Sequence, residues 1–459
     1  MPDFGVYIHF PYCVQRCPYC DFTIAVRRTI RHDRYQLAVE NELAHKAPAF
    51  ASRRAVSVYF GGGTPSLWRP DCIAHVLQAT LARFPPPEGV EPEVTVECDP
   101  AELSPLRSGS AAQARLQALR QAGVNRLSLG AQSFSPRHLQ ALGRRHSPED
   151  IYAAVLGARQ AGFRNLSIDL MVGLLNQSTS ELDADLHALL STKPEHVSLY
   201  LLTVEPRTPL ASAIRRGAAP QVDPEVQADA YERVRQRLTE AGFVHYEISN
   251  FARRDATRDL RARHNRLYWT GGEYLGLGVG AHSFRRSPAR RDEHPAGRGQ
   301  RFANARGIDA YLALWAAASA TSAELASELA ADTDAGTPNT ADVAKATTRA
   351  SLPLLNSRAA ESDWVSVDRA AADLAFPGLS LFEDRDGEAL CREAMWLALR
   401  RVEGIVPSEF QAEYGIDPCQ AFADILAEQR QQGLLAADLP LRLTPAGLLL
   451  ADEVGAAFL

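Results

Sequence analysis

No apolar run in the 459-residue sequence approaches the ~18 residues that a membrane-spanning helix needs. The first residues, Met1-Pro2-Asp3-Phe4, carry neither a basic stretch nor a long apolar one, so no secretory leader is expected. Positive charge is not in surplus: 49 Lys and Arg against 55 Asp and Glu leave −6 at neutral pH. Non-specific contact with nucleic acid is disfavoured, because phosphate demands the opposite sign. A disulfide framework is missing too. Seven cysteines is an odd number, and three of them are bunched, which points to a reducing cytoplasm. What remains, 46% apolar and 23% charged, is the composition of a globular chain long enough for two or three domains.

The bunched cysteines lie in Tyr7-Ile8-His9-Phe10-Pro11-Tyr12-Cys13-Val14-Gln15-Arg16-Cys17-Pro18-Tyr19-Cys20-Asp21-Phe22, spaced Cys-x3-Cys-x2-Cys. A short strand, Gly5–Phe10, delivers them, and Pro11 and Pro18 keep the loop out of regular structure. Crowded thiolates need a cation, and soft sulfur selects zinc or iron–sulfur iron. Structural zinc wants four closed ligands. This loop supplies three, with no obvious fourth thiol. Three cysteines on a four-iron cluster leave one iron open for chemistry. Spacing favours iron–sulfur and leaves zinc as the alternative.

The first half alternates between strand and helix patterns. Strands are expected at Gly5–Phe10, Val56–Phe60, Val94–Glu97, Arg126–Gly130, Asn165–Leu170 and Val197–Leu202. Helical patterns fall near Asp33–Lys46, Asp71–Phe84, Ala112–Ala122, Pro148–Ala161 and Thr179–Leu190, with another at Pro224–Ala241. Such alternation, with strands read as continuously apolar, implies an α/β fold whose parallel sheet is covered by helices. Six units suit a partial or full barrel, and an open doubly wound sheet is the alternative.

Each strand runs into polar or glycine residues: the cysteine loop, Gly61-Gly62-Gly63-Thr64-Pro65, Glu97-Cys98-Asp99-Pro100, Gln132-Ser133-Phe134, Asp169, and Tyr200 to Thr203. The carboxyl edge of a parallel sheet is where α/β folds build sites, so a shared site is expected there. Gly61–Gly63 would let backbone N–H groups approach a ligand closely, or would merely make a tight turn. No Gly-Lys-Ser/Thr follows, so this is not a P-loop. Glu97 and Asp169 would be ligand carboxylates, or would cap the next helices.

Further along stands Arg263-His264-Asn265-Arg266-Leu267-Tyr268-Trp269. His264 could ligate heme iron with Tyr268 and Trp269 packed on the macrocycle; the plainer reading is a loop histidine beside two core aromatics. Arg285–Arg306, rich in Arg, Pro and Gly, reads as a solvated loop, with contact to propionates or an acidic partner as the alternative. Ala316–Ala375, rich in Ala, Ser, Thr and Asp, reads as an insertion and linker. The last stretch suggests helices at Glu388–Arg401, Pro407–Tyr414 and Cys419–Gln432, a small wing, and a helix opened by Thr444-Pro445. From 380 to 459 there are 14 acidic and 6 basic residues, a net of −8. That charge makes a lid or partner-docking module a better reading than a DNA-binding one. The expected divisions are 1–245, 246–315, 316–378 and 379–459.

The cysteine spacing after Tyr-Ile-His-Phe-Pro resembles the radical S-adenosylmethionine (SAM) superfamily. Within it the chain resembles the oxygen-independent coproporphyrinogen III oxidase group, which includes heme chaperones of the HemW type. Gly123-Val124-Asn125-Arg126-Leu127-Ser128-Leu129-Gly130-Ala131-Gln132-Ser133-Phe134 and Asp169-Leu170-Met171-Val172-Gly173-Leu174 carry the same resemblance, over roughly residues 5–285. It implies a partial parallel (β/α)6 barrel with a C-terminal, mostly α, winged-helix-like domain. It also implies a [4Fe-4S] cluster on Cys13, Cys17 and Cys20, and SAM on its open iron. Tyr7, Tyr19, Gly62, Gly63, Thr64, Glu97, Gln132, Arg144, Asp169, Thr203 and His282 fall at the family's SAM or substrate positions. His-Asn-x-x-Tyr-Trp is the mark of the chaperone branch and assigns heme to His264, Asn265, Tyr268 and Trp269. Phe22 stands where the oxidase branch has a further cysteine, which argues against coproporphyrinogen III turnover. No catalytic residue is assigned. The implied partners are heme, an acceptor protein and an electron donor for the cluster, with room for transient membrane association and a homodimer. Leu175 and Cys98-Asp99 depart from the family pattern.

Overall fold

The computed structural model describes residues 3–289, 293–316 and 378–459. Six parallel strands stand side by side in chain order: β1 (Asp3–Phe10), β2 (Arg54–Gly62), β3 (Glu93–Cys98), β4 (Arg126–Gln132), β5 (Leu166–Val172) and β6 (His196–Leu201). A doubly wound sheet reverses its strand order partway; this one does not, so the right-handed crossovers place their helices on one face. Those helices include α1 (His32–Lys46), α2 (Pro70–Arg83), α3 (Ser110–Gln121), α4 (Pro148–Gln160), α5 (Thr179–Ser191) and α6 (Pro224–Glu240). β1 and β6 do not pair. The barrel is therefore partial, and each flank continues into further strands. Beyond β6 lies the antiparallel hairpin β7 (Phe243–Glu247) and β8 (Asn250–Arg253). Beyond β1 lies β9 (Glu273–Leu277), parallel to it, then β10 (His282–Ser287), β11 (Arg298–Asn304) and β12 (Leu379–Arg385), all antiparallel.

The strands are not continuously apolar as expected. They alternate. Phe4, Val6, Ile8 and Phe10 of β1, Val58 and Phe60 of β2, and Leu127 and Leu129 of β4 are buried in the main apolar core with the helices. The opposite face carries Tyr7 and His9, Ser57 and Tyr59, Thr95 and Glu97, Ser128 and Gln132, Ser167 and Asp169, Ser198 and Tyr200. Successive strand side chains point to opposite faces, so this second set lines the concave interior. The interior is polar because it leads to a site rather than to a packed centre.

Arg285–Arg306 is not a solvated loop. Among the described residues, Arg285 and Arg286 belong to β10 and Arg298 and Arg301 to β11, and the partners of the last two lie far away in sequence. Arg301 meets the buried Glu393 at 2.5 Å, and Arg298 meets Asp384 at 3.1 Å. β12 opens the stretch expected as a separate C-terminal module, yet it is hydrogen-bonded to β11 as the sheet's edge. α8 (Ile308–Trp315) follows β11, and after β12 come α9 (Gly387–Leu399), α10 (Pro407–Tyr414) and short helices to Ala456, with single-residue bridges Ile405–Leu441 and Leu435–Leu443 where the wing was expected. The Ala316–Ala375 insertion lies, apart from Ala316, outside the described residues. Among the described residues no helix is long and apolar enough to cross a membrane.

Candidate cofactor site

A cavity of about 370 Å³ opens at the carboxyl ends of β1 to β6. Its wall holds Cys13, Cys17, Cys20, Tyr19, Gly62, Gly63, Thr64, Glu97, Gln132, Arg144, Asp169 and Thr203, so the expected shared site exists. Tyr7 and His282 are not in the wall. Tyr7 lies beneath it and donates its hydroxyl to His9 Nδ1 (3.1 Å), while His9 Nε2–H donates to the Thr23 carbonyl (2.7 Å). That chain props up the cysteine loop from below. Burial holds His9 neutral, at a pKa of about 4. His282 is exposed at the start of β10.

The glycine strip does something other than expected. Its N–H groups are spent within the fold: Gly62 N–H donates to Glu97 Oε2 (3.0 Å), Gly63 N–H to the Phe10 carbonyl (2.8 Å), and Thr64 N–H to the Tyr12 carbonyl (2.9 Å). A Cβ on Gly63 would stand 2.7 Å from the carbonyl oxygens of Pro11 and Tyr12. Glycine is required here so that the strip can lie flat against the cysteine loop. The loop is fixed further by Ala25 N–H on the Pro11 carbonyl (2.8 Å) and Leu210 N–H on the Pro18 carbonyl (2.9 Å).

The thiols meet designed neighbours. Thr64 Oγ1 donates to Cys13 Sγ (3.5 Å), and Arg144 Nη1 to Cys17 Sγ (3.7 Å). Burial pushes the Cys13 thiol up to about 11, partly offset by the Thr64 hydrogen bond, and burial raises Cys20 as well. Arg144 also donates to Asp99 Oδ2 (2.9 Å) and the Gly130 carbonyl (3.0 Å). Burial alone would raise Asp99; Arg144 and His146 outweigh it and hold the carboxyl well below its usual range. Asp99, one of the family departures, is thus the counter-charge that fixes Arg144 beside Cys17. Cys98 also lines the cavity, its thiol donating to the Val96 carbonyl (3.4 Å).

Neither Glu97 nor Asp169 caps a helix. Glu97 accepts from Tyr59 OH (2.8 Å) and Gly62 N–H, and Asp169 from Ser128 Oγ (3.0 Å). Burial drives the Glu97 pKa up to about 7, with the neighbouring charge of Asp169 adding to it. Burial raises Asp169 too. Two desolvated carboxylates facing one cavity cost stability, which marks the place as built for a ligand. Gln132 holds φ = 66°, a left-handed conformation that is uncommon for a residue with a side chain. Tyr59, Ser128, Met171 and Tyr200 complete the neighbourhood. Tyr59 was not expected there, although its place between Ser57 and Gly61 on alternate positions of β2 is the signal that finds it.

The donor set fits the implied groups. The three thiols of the cysteine loop share one wall with the Arg144 guanidinium, and soft thiolate donors suit iron–sulfur iron.

Residues 7–189 match the model of the radical SAM superfamily, and residues 386–450 match the HemN C-terminal domain. The heme chaperone HemW of Escherichia coli is 37% identical over 285 residues, 61% of this chain and 70% of that protein. The chain belongs to the radical SAM superfamily, among the HemW-like proteins. The mitochondrial radical S-adenosyl methionine domain-containing protein 1 of Bos taurus is 40% identical over 278 residues, and the match spans 60% of its length. The solved structure of coproporphyrinogen III oxidase (HemN) from Escherichia coli covers 100% of this chain and 90% of its own at a TM-score of 0.69. Its 21% identity shows a shared fold.

His-Asn-x-x-Tyr-Trp lies on a short helix, α7 (Arg263–Trp269), at the opposite end of the barrel from the cysteines. His264 is 2% exposed. Its Nδ1 meets Ser57 Oγ (2.9 Å) and its Nε2 meets Tyr268 OH (2.9 Å), while its ring stacks on Tyr59 at 5.0 Å. Burial lowers its pKa to about 3, so the ring is neutral. With both nitrogens engaged and no solvent face, His264 is placed as a packing residue. The expected axial ligand is not presented in this conformation. Tyr268 packs edge-on against Tyr274 at 4.7 Å, Trp269 lies under the Arg400 guanidinium at 4.7 Å, and Asn265 is half-buried beside them. The motif therefore plugs the barrel and joins it to α9 and its following turn.

Proposed function

We propose that this protein is a heme chaperone of the HemW type, which carries a [4Fe-4S] cluster with SAM and transfers heme to an acceptor protein. The observation that carries the reading is the strand-end cavity. It gathers the three thiols of the cysteine loop and the desolvated carboxyls of Glu97 and Asp169, with Cys98 in the same wall, while Phe22, where the oxidase branch carries a further cysteine, stands 61% exposed. Relatives named as HemW chaperones support the cargo.

Cys13, Cys17 and Cys20 would hold three irons and leave one for SAM. With its N–H groups engaged, the Gly62–Gly63 strip has carbonyl oxygens to offer the SAM ammonium. Glu97 would accept from a ribose hydroxyl, and Asp169 and Gln132 would complete the pocket. Arg144 keeps a positive charge beside Cys17 and so favours the more negative cluster state. When bound, the reduced cluster supplies an electron to the SAM sulfonium. An electron-donor protein and a heme acceptor are the partners this reading requires.

The test is anaerobic. Iron-reconstituted protein is titrated with hemin, then incubated separately with coproporphyrinogen III, SAM and dithionite, and the oxidised porphyrins are separated by chromatography. Saturable hemin binding without decarboxylated product is expected. Turnover to protoporphyrinogen IX would make it an oxidase and overturn the reading.

A further inference from the structure

Arg126 takes no part in the contacts that build the cofactor cavity, yet it is buried in the barrel interior beneath it. It opens β4 on the face that carries Ser128 and is 2% exposed. In the β3–β4 register Arg126 stands opposite Thr95, and Ser128, two residues on, stands opposite Glu97. Among the described residues Arg126 makes no ion pair and no side-chain hydrogen bond, and its Nε is buried without a partner. Thr95 Oγ1, across from it, is buried and unpartnered too. A charge taken out of water without a bonded partner costs stability, so packing does not account for an arginine here.

Carboxyls stand at two levels around it. Toward the strand starts, Glu93 accepts the backbone N–H groups of Arg263 and His264 (3.1 and 3.2 Å), so its charge is met by the start of α7. Toward the strand ends, Glu97 is held by Tyr59 and Gly62, and Asp169 by Ser128. Strand geometry puts roughly 7 Å between the Arg126 and Ser128 levels. The other groups facing this space are uncharged. Burial holds the phenols of Tyr7, Tyr59, Tyr200, Tyr246 and Tyr268 neutral. It also raises the Cys98 thiol. The imidazoles of His196 and His264 are kept neutral by burial and, after it, by the Arg126 charge. Arg144, at the rim, is paired with Asp99 (2.9 Å). Around Glu97 this leaves two carboxyls facing one guanidinium, an excess of one negative charge when both are ionised.

We propose that Arg126 is a positioning residue for the cofactor: without touching it, the buried guanidinium keeps the carboxyls of Glu97 and Asp169 ionised, and the pair then receives a positively charged ligand. The inference rests on the reading of this cavity as a SAM site. The sulfonium, ammonium and carboxylate of SAM sum to one positive charge, the complement of two carboxylates and one guanidinium. Burial drives the Glu97 midpoint up to about 7 and Asp169 adds to the rise, while the Tyr59 and Gly62 hydrogen bonds and the Arg126 charge resist it. Burial raises Asp169 too, and Arg126 resists that rise as well. Across roughly 7 Å of protein, at an effective dielectric of ~20, one charge moves the titration midpoint of another group by about 1.5–2 in pH. Without Arg126 the Glu97 carboxyl would stay protonated well above neutrality.

The test uses the full chain. Arg126→Met removes the charge at similar length, and Arg126→Lys restores it. Calorimetric SAM titration of the cluster-reconstituted proteins, from about pH 6 to about pH 9, gives the pH at which affinity rises. Arg126→Met should bind SAM about tenfold more weakly than wild type near pH 7.5. Near pH 9 it should bind within about twofold of wild type or more tightly, because the carboxyls ionise regardless and no cation opposes the ligand. A merely structural loss would weaken binding at every pH. Arg126→Lys should follow the wild-type curve. Urea unfolding of the cluster-free chains gives a second reading that needs no SAM. A carboxyl raised on folding costs stability until the pH passes its folded midpoint. The wild-type loss from Glu97 should therefore level off above about pH 7, and the Arg126→Met loss should continue past about pH 8.5. If Arg126→Met does not fold, Arg126→Gln takes its place in both measurements. Neutral variants that keep the wild-type midpoint, or a lysine variant that behaves like them, would overturn the inference. Wild-type protein that binds no SAM at any pH would overturn the SAM reading alone, and the unfolding curves would still decide what Arg126 does to Glu97.

Discussion

Glu97→Gln is the substitution that most directly tests whether the strand-end cavity is a ligand site kept at the expense of stability. In the folded chain burial raises the Glu97 pKa from an ordinary 4.5 to about 7. A carboxyl raised on folding binds more protons in the native state, so native stability falls as pH climbs from the unfolded value through the folded one. Linkage with these two values puts the cost of Glu97 at about 1 kcal/mol at pH 5.5 and about 3 kcal/mol at pH 8.5. Glutamine cannot ionise and escapes that cost. It still accepts from Tyr59 OH, but it turns an amide donor toward the Gly62 N–H, a loss of roughly 1–3 kcal/mol at any pH. The variant should therefore be about 2 kcal/mol more stable relative to wild type at pH 8.5 than at pH 5.5. It should also bind SAM more weakly at both, by roughly 1.5–3 kcal/mol at the higher pH where the wild-type carboxylate is charged. Urea unfolding of the cluster-free proteins at the two pH values measures the first quantity, and calorimetric SAM titration of the reconstituted proteins the second. A stability difference that does not change with pH would mean Glu97 titrates normally in the fold, and the argument from desolvation would fail.

Replacing Cys13, Cys17 and Cys20 together by serine should abolish the iron-dependent EPR signal after reconstitution, since Cys72, Cys98, Cys391 and Cys419 are scattered; about four retained irons per chain would refute the assignment. Gly63→Ala should cost cluster retention more than fold stability, read as iron content against the melting curve, because its Cβ would push back the carbonyls of Pro11 and Tyr12. Arg144→Ala should shift the cluster potential to more negative values in a spectroelectrochemical titration and should destabilise the chain by about 3 kcal/mol through the stranded Asp99; a potential that does not move would remove Arg144 from the cluster's surroundings. His264→Ala should cost about 2–4 kcal/mol in chemical denaturation through the lost stack and two buried hydrogen bonds, while the hemin Soret band stays where it is; a displaced band would restore the histidine as iron ligand.

The cavity was legible because its residues follow strands whose ends can be read locally. Cys13, Glu97 and Gln132 each sit within three residues of the point where an apolar run stops, and a parallel sheet brings all such points to one edge, whereas Asp169 lies inside β5 on the face that lines the cavity. The interior polar face was legible in principle, since Ser57, Tyr59 and Gly61 alternate with Val58 and Phe60. Reading the strands as apolar throughout hid it. What could not be read were interactions between distant segments. The arginines of β10 and β11 look solvated until Glu393 and Asp384 arrive from beyond residue 378 to neutralise them. Nor could the glycine strip be read correctly, because its partner is the backbone of the cysteine loop, and nothing in Gly-Gly-Gly-Thr-Pro says which side of it is occupied.

His264 shows most clearly where local chemistry misleads. An imidazole next to two aromatics has the parts of a heme ligand, and the same parts serve a buried plug. The difference lies in what faces the two nitrogens, which the fold decides. Ser57 comes from β2 and Tyr268 from the next turn of the same helix, and between them they leave no lone pair for iron. The plug is not isolated from the other end of the barrel. Its ring lies on Tyr59, whose hydroxyl donates to Glu97, so one tyrosine separates the motif from a carboxylate of the cofactor cavity. α7, Tyr59 and Glu97 thus form one contiguous line of contacts through the barrel, along which porphyrin binding and SAM binding would couple. SAM affinity measured with and without bound protoporphyrin IX would reveal such coupling, and by reciprocity SAM would change porphyrin affinity by the same factor.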